Sequence, residues 1–564
     1  MNYLKEVIQK NKILACSYVI LGVFLAFLNN FSVTYFRLLI DRFNNETLTI
    51  SSIVVYGVIL IVMCILSYVD VYPAVKLHHG IFLDLKLKAL HKISKIDYRK
   101  YQSMGTGKLV QRIENGATAG KNILVDFYFR LLRELIPSIL FSMLFINQIS
   151  SFIMYVILGG YVIVFLVTNL LLKSLYKIKE RILSNEEKFN HYLVRGFMEM
   201  VVFRINKRFR YEIDKATDAK KEIVDSKVKM TLIHESFFTV FALLVTFIKI
   251  GIILYGWATK SITIGAIIAL VTLVDNAYTP IAIFNVLFVQ YKLDKSAFRR
   301  FTDFLNADND KQLDKGIDVQ KLYGNINFNS VSFSYDERVI LHRFDLKIEQ
   351  SEKIALVGES GSGKSTLVKL LIGLLKSNEG ELIIDKYSLS RLKLNSYYDH
   401  ISYISQESPV FDGTLKENLV FDKVIDDDVI IEVLKKVSLY ELYIKLEHGL
   451  NTELGEKGIM LSGGERQRLT LARLWFQDTS IIILDEATSA MDNLTEEYVM
   501  SQVLSLLAEK TVIVIAHRLT SIREFKRIIA FKDGDIIGEG AFEELMEDNM
   551  YFRELYNANV SSVN

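Results

Sequence analysis

The sequence predicts two folds joined in one chain: an all-α polytopic membrane domain over residues 1–300 and an α/β domain over residues 324–564, with residues 301–323 as connector. Three observations predict it. The 564 residues exceed the usual size of one domain. Apolar residues make up 51% of the chain and mean hydropathy is +0.25, high for a soluble enzyme. Beyond residue 324 the long apolar runs give way to short β-branched runs alternating with amphipathic helical pattern, which marks an α/β domain.

A helix crossing about 30 Å of hydrocarbon needs roughly 20 apolar residues. Six runs qualify: 13–40, 51–76, 124–147, 151–173, 234–257 and 262–292. The connections 41–50, 148–150 and 258–261 are short, whereas 77–123 and 174–233 are long, polar and rich in helix formers, so the helices should extend well past the bilayer. Basic residues set the orientation. Lys86, Lys88, Lys92, Lys95, Arg99, Lys100, Lys108 and Arg112 crowd the first long loop, and Lys177, Lys179, Arg181, Arg204, Lys207, Arg208 and Arg210 the second. The short connections hold only Arg42 and Lys260. The long loops, both termini and the α/β domain are therefore expected on the cytoplasmic side. Turn-like patches at Tyr101–Lys108 and Phe197–Arg204 should form the tips of the cytoplasmic extensions.

Ile13-Leu14-Ala15-Cys16 faintly resembles a lipoprotein cleavage site, but its apolar run follows the cysteine, so no signal peptide is expected. Cys16 and Cys64 lie in apolar runs without metal-ligand spacing and read as small helix residues. Lys249 in the fifth run and Asp275 in the sixth need explanation, because a charge at mid-depth costs about 2.5–3.5 kcal/mol on insertion scales. They should face a cavity or a partner, or Lys249 should snorkel outward. Arg130, Arg133 and Glu134 read as helix-surface pairs. The net charge of +2 singles out no partner, and nucleic acid is not expected.

The second half carries chemistry. Lys353–Val357 has a buried-strand pattern and runs into Gly358-Glu359-Ser360-Gly361-Ser362-Gly363-Lys364-Ser365-Thr366, where a helical pattern begins. Strand, glycine-rich loop and helix are the context of a phosphate-binding loop. Its glycines let backbone N–H groups approach phosphate, and the helix N-terminus adds favourable partial charge. Lys364 should reach the β- and γ-phosphates of a nucleotide, and Ser365 should offer its hydroxyl to Mg²⁺. Ile481–Leu484 form a second buried strand, ending in Asp485 and Glu486. Two acids there imply a cation nearby, with Asp485 toward the metal and Glu486 placed to polarise an attacking water.

At this point the chain resembles the ATP-binding cassette (ABC) family, through several motifs in the right order. Leu461-Ser462-Gly463-Gly464-Glu465-Arg466-Gln467 is similar to the ABC signature, with Ser462, Gly463 and Gly464 its nucleotide-facing residues. Gln406 resembles the Q-loop glutamine, a metal and nucleotide contact. Ser489-Ala490-Met491-Asp492 resembles the D-loop, His517 the switch histidine, and Tyr335 the aromatic platform for adenine, although Tyr335 could also be an ordinary strand aromatic. Thr452-Glu453-Leu454-Gly455-Glu456-Lys457-Gly458 is similar to the X-loop of ABC exporters, and spans fused ahead of the cassette are the exporter layout. Residues 324–560 resemble the family by motif, and the earlier residues by layout.

The resemblance implies a half-transporter: six helices with long cytoplasmic extensions followed by a P-loop ATPase domain of ABC type. ATP and Mg²⁺ would be its cofactors and Glu486 and His517 its catalytic pair. Hydrolysis would drive a hydrophobic or amphipathic cargo, such as a drug, lipid or peptide, outward through a multi-pass protein of a bacterial cytoplasmic membrane. The phosphate loop and signature of one chain serve different ATP sites, so two chains are needed. Glu486, His517 and Leu461–Gly464 are all present, which favours a homodimer over a heterodimer. No peptidase-like segment precedes the first run, so cleavage of leader peptides is not expected. An ATP-gated channel, a soluble cassette ATPase and an importer are the alternatives. The first is disfavoured by Glu486, the second by the spans, and the third by the fused layout and X-loop. Glu465 departs from the family's usual glutamine, and a carboxylate beside a triphosphate would be repelled unless it turns away.

Overall fold

A computed structural model describes residues 2–455, 458–516 and 518–561; the expectations placed on Glu456, Lys457 and His517 lie outside the described residues. The chain divides into two units, Met1–Ile96 with Tyr101–Asp308, and Asp97–Lys100 with Asn309–Asn564.

The first unit is helical: α1 (Asn2–Lys10), α2 (Lys12–Asn44), α3 (Ile50–Ile93), α4 (Tyr98–Met104, whose first three residues count with the second unit), α5 (Thr106–Lys121), α6 (Ile136–Ile149), α7 (Ser151–Met198), α8 (Met200–Ile205), α9 (Phe209–Thr259) and α10 (Ile264–Leu305). Among the described residues, α2, α3, α9 and α10 are long and apolar enough to cross a membrane. The fourth expected span falls in α7, whose described apolar stretch is Ser151–Ile163. The third is not one regular helix, because π-helical turns at Asn122–Phe129 and Leu131–Leu135 precede α6. Helix α10 runs to Leu305, into the stretch expected as connector.

The chain turns where the sequence placed its tips. Helix α4 lies between α3 and α5, with Gly105 at φ +69°. Helix α8 lies between α7 and α9, with Lys207 at φ +53°. At the second tip the buried Glu212 carboxylate accepts from Arg195 and, at 3.2 Å, from Arg208.

Polar groups on apolar helices must find partners. Asn30 Oδ1 accepts from Ser142 Oγ at 2.7 Å and from Asn276 Nδ2 at 3.3 Å, tying α2, α6 and α10 together. Lys249 Nζ lies 2.6 Å from Asp275 Oδ1, so these two expected outliers pair across α9 and α10. Arg130 does form a surface pair, with Glu134 at 3.2 Å. Arg133 does not, and the surface reading of it is corrected: its side chain is 13% exposed and is ion-paired with Asp70 of α3. Its guanidinium lies 3.8 Å from the Tyr18 ring centroid, and it fills a notch at Gly22, where a Cβ would come 2.6 Å from the arginine.

The second unit contains two sheets. Strands β1 (Ile326–Tyr335), β2 (Arg338–Ile348), β4 (Glu379–Ile384) and β5 (Tyr387–Ser388) form an antiparallel sheet ordered β2-β1-β4-β5. Strands β3 (Lys353–Val357), β6 (Ile401–Ile404), β7 (Ile481–Asp485), β8 (Thr511–Ile515), β9 (Arg527–Lys532) and β10 (Asp535–Gly540) form the other, ordered β10-β9-β3-β8-β7-β6 and parallel except for β10. Parallel strands are buried on both faces. Accordingly, Ile481 and Ile483 join one apolar core while Ile482 and Leu484 join the other. The helices are α11 (Lys364–Leu371), α12 (Leu394–Tyr398), α13 (Leu415–Val420), α14 (Asp427–Lys436), α15 (Tyr440–Tyr443), α16 (Gly463–Ala472), α17 (Asn493–Leu506), α18 (Phe542–Asp548) and α19 (Met550–Ser561). A separate core joins α13, α14 and α16 through Leu419, Leu434 and Leu469.

Candidate functional site

The central strands β3, β7 and β8 deliver the site at their C-terminal ends. β3 stops at Val357, and the next residues wrap over the start of α11. Gly358 sits at φ +153°, and a Cβ there would come 2.0 Å from the Phe531 carbonyl oxygen, so only glycine lets the loop cross β9. Lys364 Nζ donates to Gly358 O at 2.7 Å, Glu359 O at 2.8 Å and Ser362 Oγ at 3.2 Å, which holds the ammonium inside the loop. Burial pulls its pKa down, against the upward pull of Glu486, Asp485 and Glu359. Ser365 is exposed and Thr366 buried in the first turn of α11.

β7 ends in Asp485, which is 6% exposed, followed by Glu486 in a left-handed conformation at φ +51°. Burial holds the Asp485 carboxyl above its ordinary range; Tyr403, which donates to Oδ2 at 3.2 Å, draws it back, and Glu486 pushes it further up. A buried carboxylate of this kind fits a divalent cation, which would stabilise its charged form. Gln406 Nε2 donates to Glu486 Oε2 at 2.6 Å, so these two expected residues do meet. Among the described residues no cluster of three His, Cys, Asp or Glu side chains could hold a metal alone. A Mg²⁺ ion held by Asp485 would take phosphate oxygens among its ligands, as is usual for that ion.

Tyr335 ends β1, half-buried, with its ring edge-to-face on Phe333 at 4.9 Å. Ser462 caps α16: its hydroxyl accepts from Glu465 N at 3.3 Å, and the Glu465 carboxylate accepts from Ser462 N at 2.7 Å. The departure at 465 is thus resolved by a capping box that turns the acid back onto its own backbone. Burial would raise this carboxyl, but the bonds to Ser462, with Arg468 and Lys445 nearby, hold it below the usual range. A Cβ on Gly463 would lie 3.3 Å from Ala490 Cβ, and one on Gly464 3.0 Å from Ala490 O, so both signature glycines pack on the chain's own 489–492 loop. Asp492 in that loop caps α17, accepting from Thr495 N at 3.0 Å, and these bonds lower its pKa.

Tyr403 and Arg518 were missed from the sequence, and Gln467, the last residue of the signature-like run, was given no role there. Gln467 Nε2 donates to Ser489 Oγ at 2.9 Å, and its Oε1 accepts from Ala490 N at 2.8 Å. Arg518 donates to Met491 O at 2.8 Å, Asn493 Oδ1 at 3.2 Å and Ser489 O at 3.3 Å, and it pairs with the buried Glu496 at 2.9 Å. Only the place of Gln467 at the end of the signature-like run hinted at a role.

Strand, phosphate loop, acidic strand end and capped signature helix define an ABC-type ATPase domain. Residues 341–489 match the family described as ABC transporter. The chain carries that nucleotide-binding domain behind a helical domain with apolar membrane-length helices, and so has the architecture of an ABC exporter. It is 28% identical to the ATP-dependent lipid A-core flippase of Alcanivorax borkumensis, over 85% of this chain and 83% of that one. It is 26% identical to a putative multidrug export ATP-binding/permease protein of Bacillus subtilis, over 89% and 88% of the two chains. The structure of a bacterial Atm1-family ABC exporter with ATP bound superposes with a TM-score of 0.82 at 20% identity, covering 98% of both chains, and this likeness establishes the fold.

Proposed function

We propose that two copies of this chain form an ATP-driven exporter that moves a hydrophobic or amphipathic cargo, such as a drug-like molecule, lipid or peptide, out of the cytoplasm. The observation that carries this reading is Glu486 held by Gln406 beside an intact phosphate loop, in a chain that also has membrane-length apolar helices. The relatives' names, a lipid A-core flippase and a multidrug export protein, support that cargo class.

In this reading the 358–366 loop, with Gly358, Ser360, Gly361, Gly363, Lys364, Ser365 and Thr366, cradles the ATP phosphates, and Tyr335 stacks on adenine. Ser365, Gln406 and Asp485 would hold Mg²⁺, which when bound would offset negative charge on the phosphates. Glu486 takes the proton of the attacking water, and His517 completes the catalytic pair. Ser462, Gly463 and Gly464 act on the ATP of the other copy, with Asp492 beside them. Among the described residues no hydrogen bond joins Ser462–Glu465 to the phosphate loop of the same chain, which suits an action in trans. Intact Glu486 favours a turnover enzyme over an ATP-gated channel, and it removes the need for a different, compensating chain. The protein is a multi-pass membrane protein, and we place its ATPase domain in the cytoplasm and the helices in a bacterial cytoplasmic membrane.

The test is the chain expressed alone and reconstituted in lipid. Cooperative Mg-ATP hydrolysis by a two-chain particle, with cargo accumulating inside inverted vesicles, supports the reading. An inactive monomer revived only by a second, different chain overturns the homodimer, and the opposite transport direction overturns export.

A further inference from the structure

The 489–492 loop has no strand or helix to satisfy its backbone, and two side chains from separate segments hold it. Gln467, in the second turn of α16, grips Ser489 and Ala490 from the signature side. Arg518, just beyond β8, grips the Ser489 and Met491 carbonyls from the other side while anchored on Glu496. Glu496 is 4% exposed, and its second oxygen accepts from Thr488 Oγ1 at 2.7 Å. Gln467 is equally buried. Buried polar groups with all their partners in place form a rigid unit. The loop lies one turn beyond Glu486: Ser489 N donates to Glu486 O at 3.4 Å, and a cavity of about 20 Å³ between Glu486, Ser489 and Arg518 leaves room for about one water.

We infer that Arg518 and Gln467 are positioning residues that clamp this loop into a stiff strut between the signature glycines and Glu486, so that closure on one ATP sets the carboxylate at the other. The inference rests on the two-site reading above. Neither residue bonds to the phosphate loop among the described residues, so their effect falls on turnover and on coupling between sites rather than on nucleotide affinity. Arg518 is suited to the task because a planar guanidinium can serve several fixed acceptors at once, which an ammonium on a flexible stem cannot.

The test uses the full chain in lipid, with Arg518→Lys, Gln467→Met and the double variant. Arg518→Lys keeps a cation for Glu496 but loses the fork. Each single variant should lower kcat about tenfold or more, as small misplacements of catalytic groups do, with KM for ATP within about twofold and the Hill coefficient reduced to 1. Because both residues act through one loop, the double variant should be little worse than either single. Amide exchange should quicken at residues 489–496 and stay unchanged at 358–366. Unchanged kcat and Hill coefficient, fully additive losses, or unchanged exchange at the loop would each overturn the inference. A wild-type chain with non-cooperative hydrolysis sinks the strut while leaving the ATPase standing. A wild-type chain with no hydrolysis sinks the exporter reading, and the exchange measurement then decides the strut alone.

Discussion

Gln406 and Glu486 meet end to end: the amide after β6 donates to the carboxylate after β7 at 2.6 Å. The bond fixes where the acid points, and Glu486 holds a left-handed backbone at φ +51° to reach it. For a residue with a Cβ that conformation costs about 1–2 kcal/mol, and such strain persists where the surroundings enforce it.

Replacing Glu486 by Gln should leave ATP binding intact and lower hydrolysis by about 10²–10⁴-fold, the usual loss for a positioned general base. Gln406→Ala should lower it less, because the carboxylate remains but is no longer aimed. ATPase rates and nucleotide binding, measured side by side, check both. More than half the wild-type rate in Glu486→Gln would remove the residue from its role.

For Tyr335, truncation to Ala should weaken ATP binding by about 1–3 kcal/mol, the range for base–aromatic stacking. Trp should largely restore it. Titration with a fluorescent nucleotide distinguishes this from simple packing against Phe333, for which Ala and Trp would behave alike.

The Lys249–Asp275 pair predicts a charge-swap rescue. Lys249→Ala leaves a carboxylate without its cation on an apolar helix, and the yield of folded protein should fall. Exchanging the two residues, Lys249→Asp with Asp275→Lys, should recover it. If Lys249→Ala folds normally and the swap changes nothing, the pair contributes nothing to folding.

The Glu465 cap predicts a pH dependence. Its folded-state pKa is depressed, so its contribution to stability is fully present above the ordinary carboxylate range and is lost as pH falls through the depressed value. Glu465→Ala should therefore melt below wild type at neutral pH, and the gap should close under acid. Glu465→Gln can still cap and should hydrolyse ATP within about twofold of wild type. A strong gain or loss of activity in Glu465→Gln would mean that the acid acts on nucleotide after all.

The phosphate loop and β7 were legible in the sequence because each is a local pattern: four or five consecutive buried residues, then a turn whose geometry only certain residues permit. Helix tips were legible for the same reason. The direction of Glu465 was open, because a carboxylate three residues after a serine can cap or repel depending on the turn it starts. Arg133, Gln467 and Arg518 were misread or missed because their partners lie far along the chain: Arg133 is 63 residues from Asp70, and Arg518 is 22 from Glu496. The π-helical turns before α6 leave no periodic signature, since widening a turn changes hydrogen bonding without changing which residues are apolar.

The seat of Arg133 bears on how the chain is made. The third apolar run carries Asp126, Arg130, Arg133 and Glu134, and a charge at mid-helix costs about 2.5–3.5 kcal/mol to insert. Its counterion Asp70 and its notch at Gly22 belong to α3 and α2, which leave the ribosome earlier. The most awkward segment is therefore synthesised after its receptacle exists. The first three runs should therefore behave as one unit of biogenesis, and a chain that loses Asp70 should fail while the third run is entering the bilayer, long before any ATP is bound.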